Sequence, residues 1–187
     1  VIHSGVYYKP GSLKARNCTR GYQMLVDFCE SRQITYELCG KVIVATEEWE
    51  IPILENIYER GQANGLSNLR FLGPEEIREK EPYVNGIKGI YVPQTGIVDY
   101  TEVSAQLAKE IAEKGGAIIT GAAVNSVQKD QNGVRIGSAQ GTFEAEVMVN
   151  CAGLYSDKIA RMSHPDLDYR IIPFRGEYYE LKPEAQY

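Results

Sequence analysis

The stretch Val147-Met148-Val149-Asn150-Cys151-Ala152-Gly153-Leu154-Tyr155-Ser156-Asp157 constrains the fold more than any other part of the chain. Its apolar run ends at Asn150, breaks at Gly153 and resumes with a helical pattern through Lys158, Ile159 and Ala160. That order predicts a buried strand turning sharply into a helix, the junction from which α/β proteins are built. The small-residue turn would let a ligand approach the backbone, and a helix N-terminus favours negative charge there. An ordinary structural junction would look the same, and these residues alone do not separate the two.

Helix patterns follow the same logic upstream. Pro10-Gly11-Ser12 is a start signal, and Cys18, Tyr22, Leu25 and Cys29 recur at spacings of four, three and four, predicting a helix over 13–31. Two short strands, 35–38 and 41–45, are expected on either side of Cys39-Gly40. The uniformly apolar Val42-Ile43-Val44-Ala45 places the second of them inside a sheet. Thr46 is expected to cap a helix over 48–63, with Ile53, Leu54, Ile57 and Tyr58 inward, Pro52 dividing its first turn and Asn64-Gly65 ending it.

Phe71-Leu72 reads as extended, Pro74 opens a brief helix, and strands flank Pro93-Gln94-Thr95. Asp99 with Glu102 forms a capping-box pattern for a helix whose inward stripe is Val103, Leu107 and Ile111. Residues 117–119 read as a buried strand, parallel to and neighbouring 147–149. Between them Asn132-Gly133 marks a β-hairpin. The run from Ile171 to Leu181 reads as a long extended strand.

Bulk properties narrow the function. With 187 residues and a net charge of −5, the chain has the composition of a soluble globular protein. No Lys/Arg-rich block marks a nucleic-acid footprint, and no apolar run approaches the roughly 20 residues of a membrane span. Cys18, Cys29, Cys39 and Cys151 form no C-x-x-C pair, and His3 and His164 are not spaced to them as metal ligands. Reduced packing cysteines, no metal, no signal peptide and a cytoplasmic location are expected. The chain begins at Val1, within Val-Ile-His-Ser-Gly-Val-Tyr-Tyr, so an internal piece of a longer protein is expected too.

Three segments hold more polar detail than folding requires. His3-Ser4-Gly5 with Tyr7 and Tyr8 offers an imidazole as general base, though nothing nearby in sequence orients it. Ser4 lacks the G-x-S-x-G setting of a hydrolase nucleophile. The second segment is the turn after Asn150. The third, Pro173-Phe174-Arg175-Gly176-Glu177-Tyr178, sets a guanidinium in an apolar strand, where it either holds a carboxylate or pairs with Glu177 or Glu180. Neither G-x-G-x-x-G nor G-x-x-x-x-G-K-[ST] occurs, so a complete phosphate-binding fingerprint is missing.

Together these motifs resemble the FAD-dependent L-2-hydroxyglutarate oxidases and dehydrogenases of the D-amino-acid-oxidase-like flavoprotein superfamily. The resemblance is carried by residues 3–15 (HSGVYYKPGSLKA), 40–46 (GKVIVAT), 93–100 (PQTGIVDY), 150–154 (NCAGL) and 173–178 (PFRGEY). It implies a mixed α/β (α+β) fold: part of an FAD-binding, Rossmann-like layer plus a substrate domain with a mixed β-sheet and flanking helices. It divides the chain into an FAD-proximal loop and helix (1–31), part of the substrate domain (32–100), part of the FAD-binding layer with its hairpin (101–165) and a return strand (166–187).

In that family's terms His3, Ser4 and Gly5 lie near the isoalloxazine and pyrophosphate of FAD. Val124 offers its backbone to the adenine, and Ala152 and Gly153 pass close to the ribose and pyrophosphate. Arg175 and Tyr8 hold a substrate carboxylate, with Gln94 and Asp99 as weaker candidates and His3 as the base. The implied substrate is a small 2-hydroxy dicarboxylic acid, with no nucleic-acid partner. The family leaves room for a quinone or peripheral inner-membrane contact. Two alternatives stand beside this: a flavoenzyme of glycerol-3-phosphate dehydrogenase or amino-acid oxidase type, and a flavin-free interaction module or inactive fragment.

Overall fold

Ser12 starts the first helix. Its Oγ accepts from the Ala15 N–H at 3.2 Å, and α1 runs over Leu13–Arg32 until Gln33 adopts a left-handed conformation. In a computed structural model that describes residues 1–186, the chain forms two units, Val1–Ala117 and Ile118–Tyr187. Tyr187, the last residue of the expected return strand, lies outside the described residues.

In the first unit, β1 (Tyr36–Glu37) and β2 (Lys41–Ala45) precede a 3-10 turn, Glu48–Glu50, and α2 (Ile51–Ala63). Then come β3 (Arg70–Leu72), α3 (Pro74–Lys80), β4 (Lys88–Val92), β5 (Ile97–Val98) and α4 (Tyr100–Glu113). Strands β2, β4 and β3 make one antiparallel sheet in that order, and β1 pairs with β5. Val6, Ala45, Leu54, Leu69, Ile90 and Val92 form the core where α2 covers the sheet. Burying each larger aliphatic side chain contributes about 1.5–3 kcal/mol. A second cluster, Cys29, Ile34 and Val103, seals α1 against α4, beside an Arg32–Glu110 ion pair of 2.5 Å.

Several expectations change here. Strand β2 is an outer strand and β4 the interior one; the apolar side chains of β2 are half-buried because α2 packs over them. Thr46 is not the cap of α2. The Glu50 carboxylate instead accepts from the Thr46 and Glu47 backbone N–H groups and the Thr46 hydroxyl, and the helix proper begins just before Pro52. Of the inward positions, Ile53 is 53% exposed, and Leu107 and Ile111 are also largely open while Val103 is buried. Only the Asp99 half of the capping box is seen, accepting from the Thr101 N–H at 2.8 Å.

The second unit contains β6 (Val124–Lys129), β7 (Val134–Ser138) and β8 (Gly141–Ala145), an antiparallel meander, followed by α5 (Ser156–Ser163) packed on β6. The Asn132-Gly133 hairpin is present, closed by the Asp130 N–H on the Gly133 carbonyl at 3.1 Å. The three remaining strand expectations fail. Residues 117–119, 147–149 and 171–181 form no ladder, so the proposed parallel pair does not exist. Val147 and Val149 are 76% and 79% exposed. The reason is physical: the meander's pairings are closed by adjacent turns, whereas an isolated β-type run needs a distant neighbour for its backbone groups.

Candidate active site

Strand-like alternation sorts the side chains of residues 2–6. Ile2, Ser4 and Val6 are buried, and His3 between them is exposed. The Ile2 N–H donates to the Gly96 carbonyl at 2.6 Å, and the Gly96 N–H returns a bond of 3.1 Å. Glycine is needed at 96 because a Cβ would run into the Glu37 carbonyl oxygen. The Ser4 hydroxyl accepts from Thr95 Oγ1 at 3.3 Å, so this side chain is committed to the interior.

Gly5 then turns the chain at φ +85°, with the Tyr8 N–H on its carbonyl at 3.1 Å. Asn64 spans this turn: Nδ2 donates to the Gly5 carbonyl at 3.1 Å and to the Tyr8 carbonyl at 2.8 Å. Arg60 reaches the Tyr7 carbonyl at 3.4 Å and the Cys18 thiol reaches the His3 carbonyl at 3.4 Å. The backbone is therefore tied at four residues, while the His3 ring makes no hydrogen bond among the described residues. That combination suits a group meant to exchange a proton with a ligand.

Lys41, first residue of β2, completes this cluster. Its Nζ sits 4.4 Å from the Tyr7 ring centroid and donates to the Tyr7 hydroxyl at 3.4 Å. Residues 3–8 and Lys41 line one cleft of about 20 Å³. Burial pushes the Tyr7 phenol and the Cys18 thiol up and the Lys41 ammonium down, each disfavouring the charged form.

In the second unit the turn after Asn150 is built by one side chain. Asn150 Nδ2 donates to the Ser156 carbonyl at 2.8 Å, while its Oδ1 accepts from the Ala152 N–H at 3.2 Å. Ala152 and Gly153 are exposed, and Gly153 has φ +55° with nothing within 4 Å of where a Cβ would be. A flat ligand edge can approach such a backbone, so the turn fits a ribose or pyrophosphate. Val124 opens β6, the strand on which α5 packs.

Asp157, nearly buried, accepts from the Ile171 N–H at 3.2 Å, from Arg161 at 3.1 Å and from the Lys158 N–H at 2.9 Å. The Ile171 bond first, then Arg161 and Lys158, hold its carboxyl below the usual range. Arg175 follows in the segment that this bond anchors. It is exposed and forms no ion pair with Glu177 or Glu180 among the described residues.

His3, Ser4, Gly5 and Tyr8 thus fall in the first unit, gathered around a cleft; Val124, Ala152, Gly153 and Arg175 fall in the second. Gln94 is occupied with Ser67, through Nε2 bonds of 2.6 and 2.9 Å, and its buried Oε1 has no partner among the described residues. Sequence reasoning passed over Lys41, Asn64 and Asp157. A lone cation opening an apolar strand was a usable signal for Lys41; the other two act through contacts no local pattern encodes.

A family model described as FAD dependent oxidoreductase matches residues 1–187. L-2-hydroxyglutarate dehydrogenase of Indibacter alkaliphilus is 48% identical over all of this chain and 47% of its own length. The mitochondrial L-2-hydroxyglutarate dehydrogenase of Bos taurus is 43% identical over all of this chain and 43% of its own. The chain therefore spans about half the length of the curated relatives it matches. Among solved structures, FAD-bound L-alpha-glycerophosphate oxidase from Mycoplasma pneumoniae superposes with TM-score 0.77 at 25% identity, over 87% of this chain and 45% of that one. Glycine oxidase from Geobacillus kaustophilus superposes with TM-score 0.68 at 22% identity, over 86% and 45%, a likeness of fold alone.

Proposed function

Because the chain belongs to the FAD-dependent oxidoreductase family, we propose that the protein oxidises L-2-hydroxyglutarate to 2-oxoglutarate. The observation that carries this is the alignment of the whole chain, at 48% and 43% identity, with bacterial and mammalian proteins of that name. Bound FAD supplies the two-electron acceptor for the C2 hydride.

The chain's own residues supply the rest. His3 accepts the hydroxyl proton of C2, from an imidazole held outward on a backbone fixed at four points. Arg175 grips a carboxylate with its planar fork, and the Tyr8 hydroxyl donates to the same kind of group. When FAD is bound, Ala152 and Gly153 would hold the ribose and pyrophosphate, Val124 would offer its backbone to the adenine, and His3, Ser4 and Gly5 would lie on the isoalloxazine and pyrophosphate side. In this reading 1–31 and 101–165 serve the cofactor, and 32–100 and 166–187 the substrate.

A glycerol-phosphate substrate is the second reading, favoured by the superposition on L-alpha-glycerophosphate oxidase. Steady-state assays of the holoenzyme with L-2-hydroxyglutarate, its D enantiomer, glycerol 3-phosphate and glycine separate the two. The highest kcat/KM is expected for L-2-hydroxyglutarate, and a preference for glycerol 3-phosphate would replace this proposal with the second. His3→Asn is expected to lower kcat by about 10²–10⁴-fold at unchanged flavin content. A loss smaller than tenfold would remove His3 as the base.

A further inference from the structure

We propose that Lys41 anchors the second carboxylate of the dicarboxylic substrate, its ammonium placed at the cleft formed by residues 3–8. The inference rests on the hydroxy-dicarboxylic acid reading above and adds the residue that distinguishes such a substrate from a monocarboxylic one. A five-carbon substrate charged at both ends needs a cationic or donor contact for each carboxylate.

Lys41 meets the requirements for such a contact. Lys88, another partly buried lysine of the unit, pairs with Glu55 at 2.6 Å. Lys41 has no such carboxylate among the described residues, and burial is the cause that lowers its pKa. Its only hydrogen bond among the described residues uses one of three ammonium protons, on the Tyr7 hydroxyl. The Tyr7 ring face and hydroxyl both contact Nζ, 4.4 Å from the centroid and 3.4 Å from the oxygen, and hold the ammonium at the cleft that residues 3–8 line. A cleft of about 20 Å³ admits roughly one water-sized group, which suits one carboxylate oxygen. A desolvated cation without a counter-ion is costly unless an anionic ligand repays it.

The test compares glutarate, a dicarboxylate that cannot be oxidised at C2, with butyrate. Binding is read from the perturbation of the flavin absorbance spectrum of the holoenzyme. Lys41→Gln and Lys41→Met are made together, so that a folding defect in one leaves the other readable. Both are expected to weaken glutarate binding about 10- to 100-fold and to change butyrate binding less than about twofold. Lys41→Arg, keeping the charge, is expected to retain the preference for glutarate.

Equal glutarate binding by wild type, Lys41→Gln and Lys41→Met would overturn the proposal. So would an equal loss in Lys41→Arg, which would assign the effect to packing, or a loss confined to flavin content, which would assign Lys41 to the cofactor. A wild-type enzyme that turns over no L-2-hydroxyglutarate would instead remove the parent reading.

Discussion

The Asn64 amide makes two of the four side-chain bonds that hold the loop presenting His3. Asn64 reaches back 59 positions to Gly5 and 56 to Tyr8, and both carbonyls accept from its Nδ2. Removing the donors takes away the bond to the Tyr8 carbonyl and leaves the Gly5 carbonyl with the Tyr8 N–H alone. Asn64→Ala is therefore expected to cost about 1–3 kcal/mol in urea unfolding, and Asn64→Asp more, because a carboxylate faces those oxygens with acceptors only. A change below about 0.5 kcal/mol in both would show that the turn holds itself through the Tyr8–Gly5 bond. In the sequence Asn64 is legible only as a helix stop, which it also is. Its long-range work leaves no local trace. His3, by contrast, was legible as a residue type, while its fixed backbone and exposed ring were not.

At the level of elements, caps made the helices readable and pairing made the strands hard. Ser12, Pro74 and Asp99 mark starts that the structure keeps, because each acts within one turn of itself. Residues 147–149 have the composition of a buried strand, yet composition does not supply the neighbour that would bury them. Beyond α5 the chain is tied back by the Asp157 carboxylate on the Ile171 N–H and by Arg161 on the Tyr169 carbonyl.

The folded-state pKa of Asp157 is depressed, so the stabilisation is fully present above the ordinary Asp value of about 3.9 and is lost as pH falls through the lower folded value. Asp157→Asn should lower the thermal midpoint at neutral pH, and the gap from wild type should close as pH drops below about 4. Hydrogen exchange at Ile171 should accelerate in the same variant. A gap that stays constant into strong acid would assign the loss to something other than the charge.

For the whole molecule, the family and the mixed α/β class were legible because the motifs at residues 3–15 and 173–178 are specific and the one at 150–154 is shared across the wider superfamily. The division into Val1–Ala117 and Ile118–Tyr187 was not, since it depends on which elements share a core. Candidate residues occur in both units: an outward imidazole and an ammonium without a carboxylate partner in one, an open small-residue turn and a guanidinium without an ion pair in the other, among the described residues.

The central claim is that these residues serve flavin-linked oxidation of a 2-hydroxy dicarboxylic acid. Anaerobic mixing of the FAD-loaded holoenzyme with L-2-hydroxyglutarate tests it most directly, because the flavin reports its own reduction without any assumption about the later electron acceptor. The account predicts loss of the oxidised-flavin absorbance with one equivalent of 2-oxoglutarate formed per flavin, and no loss with the D enantiomer. A flavin that stays oxidised under L-2-hydroxyglutarate and is bleached by glycerol 3-phosphate or an amino acid would contradict it.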